Sequence, residues 1–469
     1  MNTTYAEFLA GKEQLANKGG FEPVSMPEFL FPFQSELVAW AIRQGRGGLF
    51  ADCGMGKTPM ELTWADNVYR HTGQPVLILT PLAVTFQIQS EAAKFGFDAE
   101  ISRDGSIPAP ITITNYERLE KFDARRFAGV VCDESSAIKS FDGQRRAIVT
   151  EFMRRIPYRL LGTATAAPND YTELGTSSEA LGHLGYMDML NRFFRNDNNT
   201  SDTKGGINKQ GQWLRSSDGG WRFKGHAVEP FWRWVSSWAR AIRRPSDYGY
   251  DDGDFILPDL ITDVHHVDAV TPNPDTLFEV PAFGMREERE ELRRTLRERC
   301  EAAAAAIADA ETSVSWCHLN DEAKLLTRLI PDAVELSGSD TPDEKEAKLL
   351  AFSRGEIKRL VTKPVVGAWG LNWQHCHRMT YFPSHSYEQY YQAVRRCWRF
   401  GQKNPVQVHV VTTTGGERVL ANLQRKAQAA DQMFTELVGH MNDALQIQRA
   451  ANHTTQVEVP GWLTSSTSN

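Results

Sequence analysis

Residues 49–62 read LFADCGMGKTPMEL. An apolar run leads into a glycine-spaced turn, and helix-compatible residues follow. Gly54 and Gly56 allow a turn tight enough for several backbone N–H groups to converge on phosphate oxygens, and a following helix adds its positive end. Lys57 would reach the outer phosphates of a nucleotide and the Thr58 hydroxyl would ligate Mg²⁺. Ala51 stands where such a loop usually has its first glycine.

GVVCDESSAIKS (129–140) supplies the complement. A hydrophobic strand ending in Asp133 and Glu134 sets two carboxylates at a sheet edge beside the phosphate loop. Asp133 would hold Mg²⁺ through water, and Glu134 would polarise an attacking water. The interval between Lys57 and Asp133 leaves room for intervening strands.

Short β-branched runs recur on either side. PVLILT (75–80), ITIT (111–114), GVVCDE (129–134) and YRLLG (158–162) read as buried strands of one parallel sheet. SVSWCH (313–318), AVEL (333–336), RLVT (359–362), RMTYF (378–382) and VQVHVV (406–411) form a second set. Alternation of strand and helix twice over predicts an α/β chain of two parallel-sheet lobes. The expected division is an N-terminal segment (1–29), a first lobe (30–194), an insertion (195–245), a linker (246–280), a second lobe (281–445) and a tail (446–469). Residues 195–225 are polar and Gly-rich, as befits loops or a small hairpin. Trp221, Phe223, Phe231, Trp232, Trp234 and Trp238 then crowd together, either packing the insertion onto the first lobe or forming a platform for stacked bases. Residues 285–310 read as one helix, with Glu290 and Arg294 at supporting spacing.

With 469 residues, 41% hydrophobic and 24% charged, the chain has globular composition. No apolar run reaches membrane-spanning length. The first residues lack a signal-peptide pattern, and six scattered cysteines without a CxxC pair suggest neither disulfides nor zinc, so the cytoplasm is the expected compartment. A net charge of −7 argues against grip on DNA by bulk electrostatics and favours local clusters such as Arg395–Arg396–Arg399. His265–His266 and His375 with His377 lack the ligands that would complete a metal set and are expected in loops.

Taken together these motifs resemble a superfamily 2 DEAD/DEAH-type helicase, closest to the Swi/Snf-like branch, over roughly residues 30–440. The resemblance implies two RecA-like lobes with an ATP cleft between them. Gln34 in FPFQSELVAW matches the adenine-recognising glutamine. Thr80 and Pro81 in LILTPLAV, and Asn115 in TNYE, match strand-gripping motifs, although DESS replaces the usual DEAH form. Thr163 and Thr165 in GTATAAPND match the motif that couples ATP state to strand contact. In the second lobe, Ser337 and Gly338 in ELSGSD, and Gly370 with Asn372 in GAWGLNW, fall on nucleotide- and strand-contacting motifs. YYQAVRRCWRFGQ (390–402) fits the arginine-finger motif, with Gln392, Arg396 and Arg399 in register. Arg395 stands where the family usually has glycine and receives no catalytic role.

Such a resemblance implies an ATP-dependent, Mg²⁺-requiring enzyme acting on single- or double-stranded DNA. An arginine delivered from a second lobe supplies positive charge to the γ-phosphate only when the cleft closes. The compact chain is similar to stand-alone bacteriophage helicases, which implies replication or recombination proteins as partners and no membrane. A duplex translocase without strand separation, an RNA-dependent ATPase and a non-catalytic nucleic-acid-binding scaffold remain alternatives on the same motifs.

Overall fold

The run preceding the phosphate loop buries every residue from Gly47 to Ala51 and forms strand β1 (Arg46–Ala51), covered on both faces as a central parallel strand is. The computed structural model describes residues 19–140, 143–165, 171–196, 221–268, 285–367 and 372–453. Strands β2 (Val76–Thr80), β3 (Ala99–Ile101), β4 (Ile111–Asn115), β5 (Gly129–Cys132) and β6 (Tyr158–Gly162) flank β1. A short antiparallel pair, β7 (Phe194–Asn196) with β8 (Trp221–Phe223), lies outside that sheet, which β9 (Ala239–Ile242) then completes in the order β3-β4-β2-β5-β6-β1-β9. The second sheet contains β10 (Leu260–Val267), β11 (Ser313–Trp316), β12 (Ala333–Leu336), β13 (Arg359–Thr362), β14 (Arg378–Tyr381) and β15 (Val406–Thr413), ordered β10-β15-β14-β11-β13-β12. Every pairing within the two large sheets is parallel. The expected class is therefore observed: α/β, with two RecA-like parallel-sheet lobes.

Three edge strands escaped the pattern, the three-residue β3 among them. β9 lies within the stretch read as insertion, and β10 within the stretch read as linker. ARAI (239–242) is too short to show periodicity and follows an aromatic helix. The residues of β10 are half-buried or exposed, as at an edge paired on one side only, so its apolar content is low. His265 and His266 thus belong to a strand rather than a loop, and the His265 ring meets His409 at 3.0 Å. The helix expected over 285–310 divides at Thr295 into Met285–Arg294 and Leu296–Ala306.

The aromatic crowd packs inward. Phe231, Trp232 and Trp238 on the helix Val228–Trp238 are buried in the first lobe's core with Phe193, Phe194 and Phe223, and Trp221 and Trp234 pack against them half-buried. This is the packing alternative, not a base-stacking platform. All six cysteines are buried and unbridged. No helix among the described residues is long and apolar enough to cross a membrane.

The helix Glu417–His453 leaves the second lobe after β15 and returns to the first. Its Met433, Phe434, Leu437 and Met441 join the first lobe's core. Asp431 receives the Arg243 guanidinium, which also lies 4.8 Å from the Phe434 ring centre. This helix passes the expected tail boundary at 446; residues 454–469 of that tail are outside the described residues.

Among the described residues, the second lobe holds a fully buried ion pair. Arg299 donates to Glu322 Oε1 at 2.7 Å, with 2% and 1% of their side chains exposed. Glu322 Oε2 accepts the backbone N–H groups of His318 and Leu319 and so caps the helix Asn320–Leu329. Glu322→Ala leaves a buried guanidinium uncompensated and is expected to cost about 3–5 kcal/mol, read as a lowered urea midpoint. A change below about 1 kcal/mol would contradict that accounting.

Candidate active site

Backbone conformation sets the phosphate loop. Gly54 and Gly56 adopt φ +94° and +77°, in the left-handed region that favours glycine. Both are also closely approached. A Cβ on Gly56 would lie 2.3 Å from Gln34 Nε2, and one on Gly54 would lie 2.8 Å from the Phe400 backbone nitrogen of the second lobe. Gln34 spends both ends of its amide here: Nε2 donates to the Met55 carbonyl at 2.9 Å, and Oε1 accepts from Phe31 N–H at 3.0 Å. It therefore braces the loop from the preceding helix, Pro32–Gln44. The helix Lys57–Thr72 begins directly after Gly56, with Thr58 half-buried in its first turn.

β5 delivers the carboxylates. Lys57 Nζ meets Glu134 Oε1 at 3.3 Å. Burial works against the Lys57 ammonium, but Glu134, with Asp133 and Glu61 adding, outweighs it and raises the pKa above its ordinary value. The Asp133 carboxyl is pushed up to about 6, first by burial and then by the neighbouring Glu134 charge, with Lys57 and the Thr80 hydroxyl opposing. Glu134 itself sits at φ +48°, a strained backbone for a residue with a side chain, of the kind concentrated at reactive sites. Glu134 Oε2, Ser135 Oγ, Ser136 Oγ and Thr165 Oγ1 are buried with no protein partner among the described residues. Buried acceptors and hydroxyls left unsatisfied in this way suit a polar ligand rather than a core.

A hydroxyl and one carboxylate, Thr58 and Asp133, are the kind of sparse oxygen donor set that would hold Mg²⁺ jointly with phosphates. No group of three or more acidic, His or Cys residues among the described residues would hold a metal by itself. The residues present thus fit a phosphate-bound Mg²⁺ and not a closed protein cage.

The second lobe contributes the segment after the helix Tyr387–Val394. Arg396 is buried and donates to Gln392 through its carbonyl at 3.2 Å and its Oε1 at 2.9 Å. Gln392 is thereby engaged in holding Arg396, with its Nε2 buried and unpartnered among the described residues. Arg399 differs: its Nε is buried without a partner among the described residues, and burial, reinforced by Arg396, pulls its pKa down to about 10. Gly370 lies outside the described residues.

A cavity of about 890 Å³ opens between the lobes, away from Lys57. Its lining brings together Pro81 and Asn115 from the first lobe with Gly338 and Asn372 from the second. The other expected strand-contacting residues are not on its walls. Thr80 is fully buried and its hydroxyl donates to Asp133 Oδ2 at 3.0 Å, which places it behind the carboxylate site. Thr163 is buried and accepts Thr165 N–H at 3.0 Å. Ser337 is half-buried against Ser339 Oγ at 2.9 Å. The lining carries Glu91, Glu117, Asp343 and Glu346 against Arg103, Arg118 and Lys345, so the cavity itself is not basic.

No protein-family model matches the chain. Among curated proteins, p41 of Acyrthosiphon pisum secondary endosymbiont phage 1 is 27% identical over 169 residues, covering 30% of this chain and 37% of that protein. The match therefore spans little more than a third of that relative's length. Among solved structures, the chain is similar to the Sulfolobus solfataricus SWI2/SNF2 ATPase core in complex with double-stranded DNA. There identity is 18%, the TM-score is 0.41, and 84% of this chain and 90% of that one are covered.

Two residues at the site received no role from the sequence. Glu61, one turn along the helix from Lys57, is buried with neither carboxylate oxygen partnered, and burial followed by the Asp133 charge holds its carboxyl well above the usual range. A Cβ on Gly162 would lie 1.8 Å from Glu61 Oε1, so this side chain joins the phosphate-loop helix to the end of β6. Its four-residue spacing from Lys57 was the available clue. The other is Arg395, whose guanidinium reaches Asp52 Oδ2 at 2.6 Å across the lobes.

Proposed function

We propose that this chain is a superfamily 2, Swi/Snf-like ATPase that couples Mg²⁺-dependent ATP hydrolysis to movement along, or unwinding of, DNA. The observation that carries the reading is a phosphate loop with Lys57, Asp133 and Glu134 gathered on one lobe and the arginine segment of the other laid against Gly54. Such a site is complete only when the lobes are together, as a motor cycle of closure and release requires.

In this reading Lys57 and the loop N–H groups bind the phosphates, while Gln34 sets the loop beside the adenine. Thr58 and Asp133 would hold Mg²⁺, which would supply positive charge against the phosphates. Glu134 orients and polarises the attacking water, and Arg399 answers the charge that develops as the phosphoryl group leaves. Arg396, anchored by Gln392, flanks Arg399. Pro81, Asn115, Gly338 and Asn372 mark the DNA cleft, and Thr163, Thr165 and Ser337 link it to the nucleotide site.

ATP hydrolysis measured alone, with single-stranded DNA, with duplex DNA and with RNA tests the proposal. Stimulation by DNA is expected, and the more effective form identifies the track; strand displacement then separates unwinding from duplex translocation. Greater stimulation by RNA would replace DNA as the track. Hydrolysis near zero under all four conditions would overturn the motor reading in favour of a binding scaffold.

A further inference from the structure

Tyr391 and Arg395 lie four residues apart, at the end of one helix and just beyond it, and therefore share a face. That face meets the phosphate loop. Asp52 Oδ1 accepts the Tyr391 hydroxyl and the Cys53 backbone N–H, while Asp52 Oδ2 accepts Arg395 Nη2 at 2.6 Å. The same Nη2 donates to the Cys53 carbonyl at 2.9 Å. Arg395 is buried, with 3% of its side chain exposed, and its guanidinium lies 4.8 Å from the Trp398 ring centre. Trp398 is fixed in turn by Nε1 donating to the Pro258 carbonyl at 2.7 Å.

We infer that Arg395 is a positioning residue: by pairing with Asp52 it docks the second lobe on the phosphate loop in the register that presents Arg399. Two independent features agree with this. Gly54 admits the Phe400 backbone only because it has no side chain, so the lobe contact is shaped for close approach. Arg399 comes four residues after Arg395 and its Nε lacks a partner among the described residues, whereas Arg395, whose Nε is likewise unpartnered there, is held through Nη2 by two lobe-1 acceptors, Asp52 and the Cys53 carbonyl. One arginine holds and the other is held ready. A buried ion pair of this kind specifies geometry more than it adds net stability. Burial opposes the Arg395 charge, but Asp52 more than compensates and raises its pKa, so the guanidinium stays protonated.

The kinetic consequence rests on the ATPase reading; the docking does not. The test uses the full-length chain with spin labels at the exposed positions Glu120→Cys and Arg354→Cys, one on each lobe, measured without nucleotide. The parent protein is expected to show one short, narrow distance, Arg395→Ala a broadened and lengthened one, and Arg395→Lys, which keeps a cation within reach of Asp52, a largely restored one. In parallel, Arg395→Ala should lower kcat on the order of 10²-fold, as misplacement of a catalytic group does, with KM changed far less and Arg395→Lys recovering most of the loss. An unchanged distance distribution in Arg395→Ala overturns the inference, as does equal loss in the Ala and Lys variants. If the parent protein hydrolyses no ATP, the ATPase reading falls and the distances alone decide the docking.

Discussion

Arg399→Ala is expected to lower ATP turnover by about 10³- to 10⁵-fold, the range an arginine finger contributes to phosphoryl transfer. KM should stay within a few-fold of the parent value, because the residue acts on charge that exists only in the transition state. The structure gives this prediction a clean control. Arg399 Nε is buried and unpartnered among the described residues, and burial together with Arg396 lowers its pKa to about 10. Removing such a cation relieves desolvation rather than stranding a partner, so the melting temperature should hold or rise. A kinetic loss with preserved stability is then a chemical loss. Turnover within about tenfold of the parent would show that the charge comes from elsewhere, with Arg396 next in place.

Glu134→Gln is expected to reduce kcat by about 10²- to 10⁴-fold, the usual contribution of a positioned general base. The amide keeps the shape and the hydrogen-bonding reach toward Lys57 but cannot take up a proton. Because Glu134 pairs with Lys57 at 3.3 Å, it competes with phosphate for the ammonium. Nucleotide affinity should therefore be unchanged or tighter, as read by equilibrium binding of a fluorescent ATP analogue, while single-turnover hydrolysis collapses. The left-handed backbone at Glu134 is retained in both proteins, which keeps strain out of the comparison. Full turnover by the glutamine variant would remove this residue from the chemistry.

Central strands were legible in the sequence because burial on both faces forces unbroken apolar runs: VLILT, GVVC and YRLLG coincide with β2, β5 and β6. The edge strands β3, β9 and β10 were not: the first two are only three and four residues long, and β10, paired on one side and half-exposed, needs fewer apolar residues. Lys57, Asp133 and Glu134 could be read because loop and strand chemistry constrain them locally. Whether Thr80 faces a cleft or a carboxylate could not, since the two orientations differ by the side of one strand end. Nor could Arg395, whose acceptor lies 343 positions earlier at Asp52 and is brought near only by the meeting of two separately folded sheets. Its presence at a position where the resembled family has glycine was a signal, but one without a partner attached.

The helix Glu417–His453 has a mechanical consequence. The lobes are joined once by the chain between β9 and β10, and again where this helix seats Met433, Phe434, Leu437 and Met441 in the first lobe's core. A body fastened to another at two separated points cannot tumble or slide freely; it can only swing about the line through them. The 37-residue helix thus acts as the second pin of a hinge, reducing six relative degrees of freedom to nearly one. Closure along that single arc would carry the arginine segment to the same spot on every stroke.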